Sequence, residues 1–144
     1  MPLLRGAKGF GWYNKFRSTP EEFAKFTSPT PFNWEADNVT RPRAYFNIVS
    51  GPENWGTLEF ELAEDVLPKT VENFTRLVTG KSAKGFTYKN TKLHQIRKGH
   101  VIMGGDVVTN DGTGSHSASE ERFFPDENYI VPHSSRGLLR YDKN

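Results

Sequence analysis

A β-hairpin is predicted from the alternation of apolar and polar residues in the middle of the chain. Residues 44–49 read Ala-Tyr-Phe-Asn-Ile-Val and are rich in strand-forming side chains, and residues 56–62 place an apolar side chain at every second position. Residues 50–54 between them contain Gly and Pro and predict a turn. The inward-facing residues of the second strand are predicted to be Leu58, Phe60 and Leu62.

A helical period follows this hairpin. Pro68 suits the first turn of a helix, and Gly80 suits the left-handed position that follows a last turn. Apolar residues between them recur at spacings of three and four. We predict one helix over residues 68–78 that covers the sheet with a stripe formed by Val71, Phe74, Leu77 and Val78.

Three shorter strands are predicted in the last third of the chain. Residues 92–98 and 100–103 flank Gly99, and residues 137–141 are a final candidate. A loop rich in Gly, Ser and Asn, residues 106–119, follows the pair around Gly99. The pattern therefore indicates a mainly β domain with one main helix.

The start of the chain has a different character. Residues 1–42 show no sustained period but are rich in aromatic side chains, which disordered segments usually lack. We predict an extended N-terminal arm over residues 1–42, with one short helix beginning near Pro20, and a separate domain over residues 43–144. The predicted partner-binding residues of the arm are Phe10, Trp12, Tyr13, Phe16, Phe23, Phe26, Phe32 and Trp34.

Charge and cysteine content exclude several classes of function. A formal net charge of +2 is too small to make bulk attraction to nucleic acid the leading hypothesis. The chain has no cysteine, which excludes disulfides and thiolate metal sites. No transmembrane segment is predicted, because no apolar run approaches the length that a bilayer requires. The four histidines lack metal-ligand spacing, so we predict neither a metal nor another cofactor for His94, His100, His116 and His133.

Basic residues cluster in two places. The first twenty residues carry Arg5, Lys8, Lys15 and Arg17 with no acidic residue, as a mitochondrial presequence does. A second group is typical of a solvated surface, with contact to RNA or acidic lipid as the alternative. It comprises Lys81, Lys84, Lys89, Lys92, Arg97 and Lys98.

A series of motifs resembles the cyclophilin family of peptidyl-prolyl isomerases over residues 43–142. Residues 66–74 read Val-Leu-Pro-Lys-Thr-Val-Glu-Asn-Phe at the start of the helix, and His94 lies in the following strand. The remaining motifs are Gly104-Gly105-Asp106, Asp111-Gly112-Thr113-Gly114, Asp126-Glu127-Asn128, His133 and Gly137-Leu138-Leu139. The resemblance implies an eight-stranded antiparallel barrel, capped by two helices, with a proline-binding groove.

The groove implied by the resemblance is degenerate. Catalytic cyclophilins have an arginine after the histidine of this strand, whereas Gln95 follows His94 here. The uncatalysed barrier is about 18–20 kcal/mol, and a neutral amide donates more weakly to a twisted peptide bond than a charged guanidinium does. The family's phenylalanine, methionine and glutamine of the next strand correspond to His100, Val101 and Met103.

Two further expectations concern the groove and the barrel. Arg97 lies on the same strand face as Gln95, about 6–7 Å away, but we expect it not to replace the missing arginine. The motifs stop before the family's last strands, so we expect an incomplete barrel with an open edge covered by another subunit.

The sequence therefore predicts a non-catalytic, cyclophilin-like accessory subunit of a large assembly, bound through its arm and its open barrel edge. The basic start favours a mitochondrial complex of the respiratory-chain type. One alternative is a weak or active prolyl isomerase, or a proline-peptide binder, that uses the degenerate groove. A further alternative is a ribonucleoprotein component that binds RNA through an aromatic and basic arm, with Arg5, Lys8, Trp12, Lys15 and Arg17.

Overall fold

The computed structural model describes residues 32–36 and 38–142, which divide into two units. One unit consists of residues 40–126, and the other contains the described residues before and after that range. The basic start and the predicted helix near Pro20 lie outside the described residues. No helix in the part of the chain that is described combines the length and the apolar character that crossing a membrane requires.

The predicted hairpin is present as β1, Arg43–Ser50, and β2, Glu53–Glu61. The two strands pair antiparallel, with a register shift between Ile48 and Val49. The prediction that alternate residues of the second strand face the core is confirmed for Leu62, which is buried, and for Phe60, which is partly buried. It is wrong for Leu58, whose side chain is 46% exposed because it lies outside the cluster of core residues under the helix.

The predicted helix is confirmed as α1, Pro68–Val78, with the expected bounds. Pro68 opens the helix, Thr79 Oγ1 donates to the carbonyl of Thr75 at 2.8 Å, and Gly80 adopts a left-handed φ of 70°. The apolar stripe packs on β1 and β2, and its ring contacts include Phe74 with Phe46 at 5.9 Å. The core residues are Ala44, Leu62, Val71 and Phe74, with Phe46, Phe60, Val78 and Tyr88 packed against them.

A buried arginine ties the start of this unit to the hairpin. Arg41 is 7% exposed; its Nε and Nη2 donate to the two carboxylate oxygens of Asp65 at 2.8 and 3.0 Å, and its Nη1 donates to Glu61 at 3.1 Å. These hydrogen bonds raise the pKa of Arg41 and lower the pKa of Asp65, in both cases against the effect of burial. The bidentate geometry offsets part of the cost of burying the guanidinium.

A second hairpin is formed by β3, Gln95–Arg97, and β4, Val101–Met103, which pair antiparallel. Both strands are shorter than predicted, and Gly99 in the turn between them has a φ of 75°. The described strands form two separate two-stranded sheets, which do not close into a barrel. The mainly β class with one helix is confirmed, and the architecture is that of an incomplete barrel.

The strand predicted over residues 137–141 is wrong. Gly137 has a φ of 83°, which belongs to a turn, and the described residues after it form no strand and pair with none. Arg140 Nη1 donates to His133 Nδ1 at 3.2 Å in this segment. Burial and the nearby Arg140 charge lower the pKa of His133.

Candidate functional site

The second hairpin presents two faces of different chemistry. Because opposite residues of an antiparallel pair share a face, Gln95 lies beside Met103 and Arg97 lies beside Val101. We call this set of four residues the groove face, since it contains three of the five groove positions implied by the sequence, Gln95, Val101 and Met103. The reverse side carries the cross-strand pair Ile96 and Ile102, which are 60% and 59% exposed.

A hydrogen-bonded pair organises the groove face. The amide oxygen of Gln95 accepts from Nε and Nη2 of Arg97 at 2.6 and 2.9 Å, with the amide oriented so that its oxygen faces these donors. Arg97 therefore leans back along its strand, as the spacing allowed. A guanidinium has five N–H donors, so three of those of Arg97 remain for other partners.

The two histidines of the predicted groove do not join this pair. His100 is exposed in the turn, and its backbone N–H donates to the carbonyl of Arg97 at 3.0 Å. His94 lies against the loop at Gly112, where an added Cβ would approach its Nε2 to 2.8 Å. The Nδ1 atom of His94 is buried and has no hydrogen-bond partner among the described residues. Of the five predicted groove residues, the structure thus brings together Gln95, Val101 and Met103.

A buried carboxylate organises the loop after β4. Asp106 is 1% exposed, and its Oδ1 accepts from the backbone N–H groups of Val108 and Thr109, each at 3.0 Å. Its Oδ2 accepts from the Thr109 hydroxyl at 2.7 Å. The same oxygen accepts the backbone N–H groups of Asp111, Gly112 and Gly114 at 3.2, 2.8 and 3.0 Å. One side chain therefore closes the whole turn.

These hydrogen bonds keep Asp106 ionised. Burial raises the pKa of the carboxyl, but the bonds from the Thr109 hydroxyl and from the backbone N–H groups of Gly114, Val108 and Thr109 outweigh it. The pKa of Asp106 consequently lies well below the ordinary value of 3.8. A fully bonded carboxylate is a poor proton acceptor, so its role here is structural.

Two glycines before Asp106 allow close backbone packing. A Cβ at Gly104 would lie 2.7 Å from Leu93 Cδ2 and 3.0 Å from the carbonyl oxygen of Lys92. Gly105 has a φ of 84°, and a Cβ there would lie 3.0 Å from the Tyr88 ring. The motif thus brings the end of β4 against the segment before β3.

A shallow cleft of about 250 Å³ adjoins the Asp106 loop. The charged residues lining it are Lys89 and Asp106, and the Asp106 carboxylate is already saturated with donors. Among the residues that the structure describes, no group of three histidine, cysteine, aspartate or glutamate side chains lies close enough to hold a metal ion.

The predicted partner-binding arm is described only at its end. The rings of Phe32 and Trp34 meet edge to face, with centroids 4.9 Å apart. The other six aromatic residues, Phe10, Trp12, Tyr13, Phe16, Phe23 and Phe26, lie outside the described residues. The role of the arm stays a prediction.

Sequence reasoning did not predict that Arg41, Asn73 and Asp106 are buried. Arg41 and Asp106 are described above, and Asn73 on α1 accepts the backbone N–H of Ala118 through its Oδ1 at 2.7 Å. Asn73 carried a signal, because it lies beside the apolar stripe of the helix as a polar residue. The contacts of the other two join residues distant in sequence or depend on a loop conformation.

The comparison with protein families agrees with this geometry. Residues 47–144 match the family described as "Cyclophilin type peptidyl-prolyl cis-trans isomerase/CLD". The match contains α1, both strands of the second hairpin and the Asp106 loop. Since it spans more than half of the sequence, the chain belongs to the cyclophilin-type peptidyl-prolyl cis-trans isomerase family.

Proposed function

We propose that this chain is a non-catalytic cyclophilin-type domain that serves as an accessory subunit of a multi-subunit assembly. The observation that carries the proposal is the pairing of Gln95 with Arg97 on the groove face. The position of the catalytic arginine holds a neutral amide, and that amide accepts hydrogen bonds from its own strand. The fixed charged donor that would stabilise a twisted prolyl bond is therefore replaced.

Exposed apolar surface supports the accessory role. Ile96 and Ile102 face away from the groove face and are more than half exposed. Each described sheet has two strands, so each strand leaves one edge without a strand partner within those residues. Two-stranded hairpins are marginal in water without further packing. Another polypeptide that covers these edges and the isoleucine pair accounts for both features.

The location that we propose is mitochondrial, in a complex of the respiratory-chain type. Its support is the first twenty residues, which are basic and lack acidic side chains. Subcellular fractionation of cells that naturally express the chain tests the location, and recovery outside mitochondria contradicts it.

A second candidate is a weak prolyl isomerase, and one observation favours it. The guanidinium of Arg97 reaches the side chain of Gln95, so a cation lies near the position of the missing arginine. Against this, two of its donors are taken by Gln95, and it originates two residues further along the strand. A donor in a different place is a poor substitute when catalysis depends on geometry.

A protease-coupled isomerase assay separates the two candidates. The accessory role predicts that the chain does not accelerate isomerisation of a proline peptide above the uncatalysed rate. Acceleration that is lost in Arg97→Gln and kept in the neighbouring control Lys98→Gln would establish the isomerase instead.

Native gel electrophoresis tests assembly directly. A tagged chain expressed in its own cells should migrate as a species far larger than its 16.4 kDa mass. Migration as a free chain of that mass would overturn the accessory role, whatever the isomerase assay shows.

A further inference from the structure

One long stretch of the chain is basic without any acidic side chain. Residues 73–105, from the middle of α1 to the end of the second hairpin, contain no aspartate or glutamate. The cations of this stretch are Arg76, Lys81, Lys84, Lys89, Lys92, Arg97 and Lys98. The carboxylates that pair with these cations must therefore come from other parts of the chain or from a partner, as Glu72 does for Arg76.

Arg97 is the fixed cation of this stretch. In the described residues, the arginines that form ion pairs are Arg41, Arg43 and Arg76, each with a carboxylate of its own unit. Arg97 has no ion pair with a described residue, and its guanidinium is oriented by the Gln95 oxygen. Because Nε and one N–H of Nη2 are engaged, the edge formed by Nη1 and the rest of Nη2 is available.

This arrangement lowers the cost of binding an anion. A free arginine side chain loses rotamer freedom when it is immobilised, whereas a pre-oriented guanidinium has already lost part of it. The planar edge that remains matches the two oxygens of a carboxylate. Gln95 thus acts as a positioning residue for Arg97.

The surroundings of Arg97 favour a protein ligand over RNA. Val101 and Met103 lie on the groove face as half-buried apolar neighbours. Residues 89–106 contain no Phe, Tyr or Trp on which a base could stack. An apolar surface beside one oriented guanidinium suits a peptide that carries both acidic and aliphatic side chains.

We propose that Arg97, positioned by Gln95, binds an aspartate or glutamate carboxylate on an acidic, extended segment of a partner protein that docks on the groove face. The inference rests on the proposed accessory role, in that the segment belongs to another subunit. It assigns to the degenerate groove a ligand chemistry that depends on its altered residues.

Fluorescence anisotropy with the full chain tests the proposal. The probe is a labelled ten-residue peptide of Asp, Glu and Leu, compared with its counterpart in which Asn and Gln replace the acids. We expect Arg97→Gln to weaken binding of the acidic peptide by about tenfold. Gln95→Glu should weaken it as strongly, because the new carboxylate neutralises the charge of Arg97 and repels the carboxylates of the peptide. Lys98→Gln removes one unit of positive charge next to Arg97 and should change affinity by less than about twofold.

Several outcomes would overturn the proposal. Equal losses in Arg97→Gln and Lys98→Gln would show diffuse charge attraction, and equal binding of the uncharged peptide would remove the carboxylate from the recognition. Displacement of the peptide by a uridine 20-mer whose own binding is weakened equally by both variants would identify RNA as the ligand. Far-UV circular dichroism of each variant shows that the fold is kept.

Nuclear magnetic resonance of the unmodified chain gives a second readout. The Arg97 Nε–H signal should shift on titration with the acidic peptide, while that of Arg76 should not; equal shifts of both overturn the proposal. An inactive chain without these effects would refute carboxylate binding and leave the accessory role standing. An active isomerase that shows these effects would support carboxylate binding and refute the non-catalytic accessory role.

Discussion

The two hairpins of the unit formed by residues 40–126 are held in place by different means. The inner face of β1 and β2 packs under α1 in a cluster that contains Phe46, Phe60 and Phe74. No described helix covers the second hairpin, whose apolar pair Ile96 and Ile102 is exposed. Side-chain burial stabilises the first hairpin, whereas packing of the backbone on either side positions the second.

The first hairpin therefore belongs to the core of this unit, whereas the second hairpin presents its side chains at the surface. The segments next to the second hairpin are fixed by Gly104 against Leu93, by His94 against Gly112 and by the Asp106 turn. The strands between them are thus held at both ends while their side chains remain available.

The largest expected effect is a loss of stability in Phe74→Ala. Phe74 is buried and contacts the rings of Phe46 and Tyr88, so its truncation leaves a cavity between α1 and the first hairpin. We expect the free energy of unfolding, measured with urea, to fall by about 3–4 kcal/mol. Leu58→Ala in the same hairpin is the control and should cost under about 1 kcal/mol, because that side chain is nearly half exposed. Equal losses would contradict the assignment of the core to one end of the hairpin.

A somewhat smaller effect is expected from Asp106→Asn. The substitution places an amide NH₂ or a neutral oxygen against donors that now share a carboxylate, including the N–H groups of Gly112 and Gly114. We expect a loss of about 2–3 kcal/mol in the free energy of unfolding. The exposed Asp111→Asn is the matched control and should have a smaller effect. If the two variants were equally stable, Asp106 would not be the centre of the loop.

The pH dependence of stability follows from lowered pKa values of aspartates. The exposed Asp111 has one, through hydrogen bonds from Thr113 and Thr109. Folding lowers the pKa of Asp65, through Arg41, and of Asp106, through its hydrogen bonds. A carboxyl with a lowered folded-state pKa adds stability above its unfolded pKa and loses it as the pH falls below that value. We therefore expect the free energy of unfolding to decrease below about pH 4.

Urea unfolding at a series of pH values measures this decrease. In Asp106→Asn the decrease should be shallower, since the buried carboxylate among these aspartates is gone. An unchanged slope would mean that Asp106 binds its proton equally well in the folded and unfolded states.

The spacing of apolar residues and the turn residues predicted α1 and the first hairpin, whose bounds depend on residues close together in the sequence. The bounds of α1 follow from Pro68, Gly80 and the apolar stripe, all within one segment. The first hairpin follows from alternation on both sides of a Gly-Pro turn. Burial was less predictable, because Leu58 has the right alternation but lies where the helix does not reach.

The candidate site could be predicted only in part. The shared face of Gln95 and Arg97 follows from strand geometry, and the structure shows the hydrogen bonds that the spacing permits. The strand predicted at residues 137–141 failed because alternation and length do not provide a neighbouring strand with which to pair. The role of Asp106 depends on six loop donors, which come from positions up to eight residues away. The spacing of apolar residues in the sequence gives no information about such hydrogen bonds.

The smallest expected effect sharpens the contrast between the hairpins. Ile96→Ala and Ile102→Ala remove side chains that are 60% and 59% exposed, so each should change the free energy of unfolding of the chain by under about 0.5 kcal/mol. The same substitutions should weaken assembly if a partner covers this pair, since each removes apolar area that association would bury. Native electrophoresis of the tagged variants measures that second effect. A large loss of stability in the free chain, with assembly unchanged, would show that the pair is covered within the chain itself and would give both hairpins the same structural role.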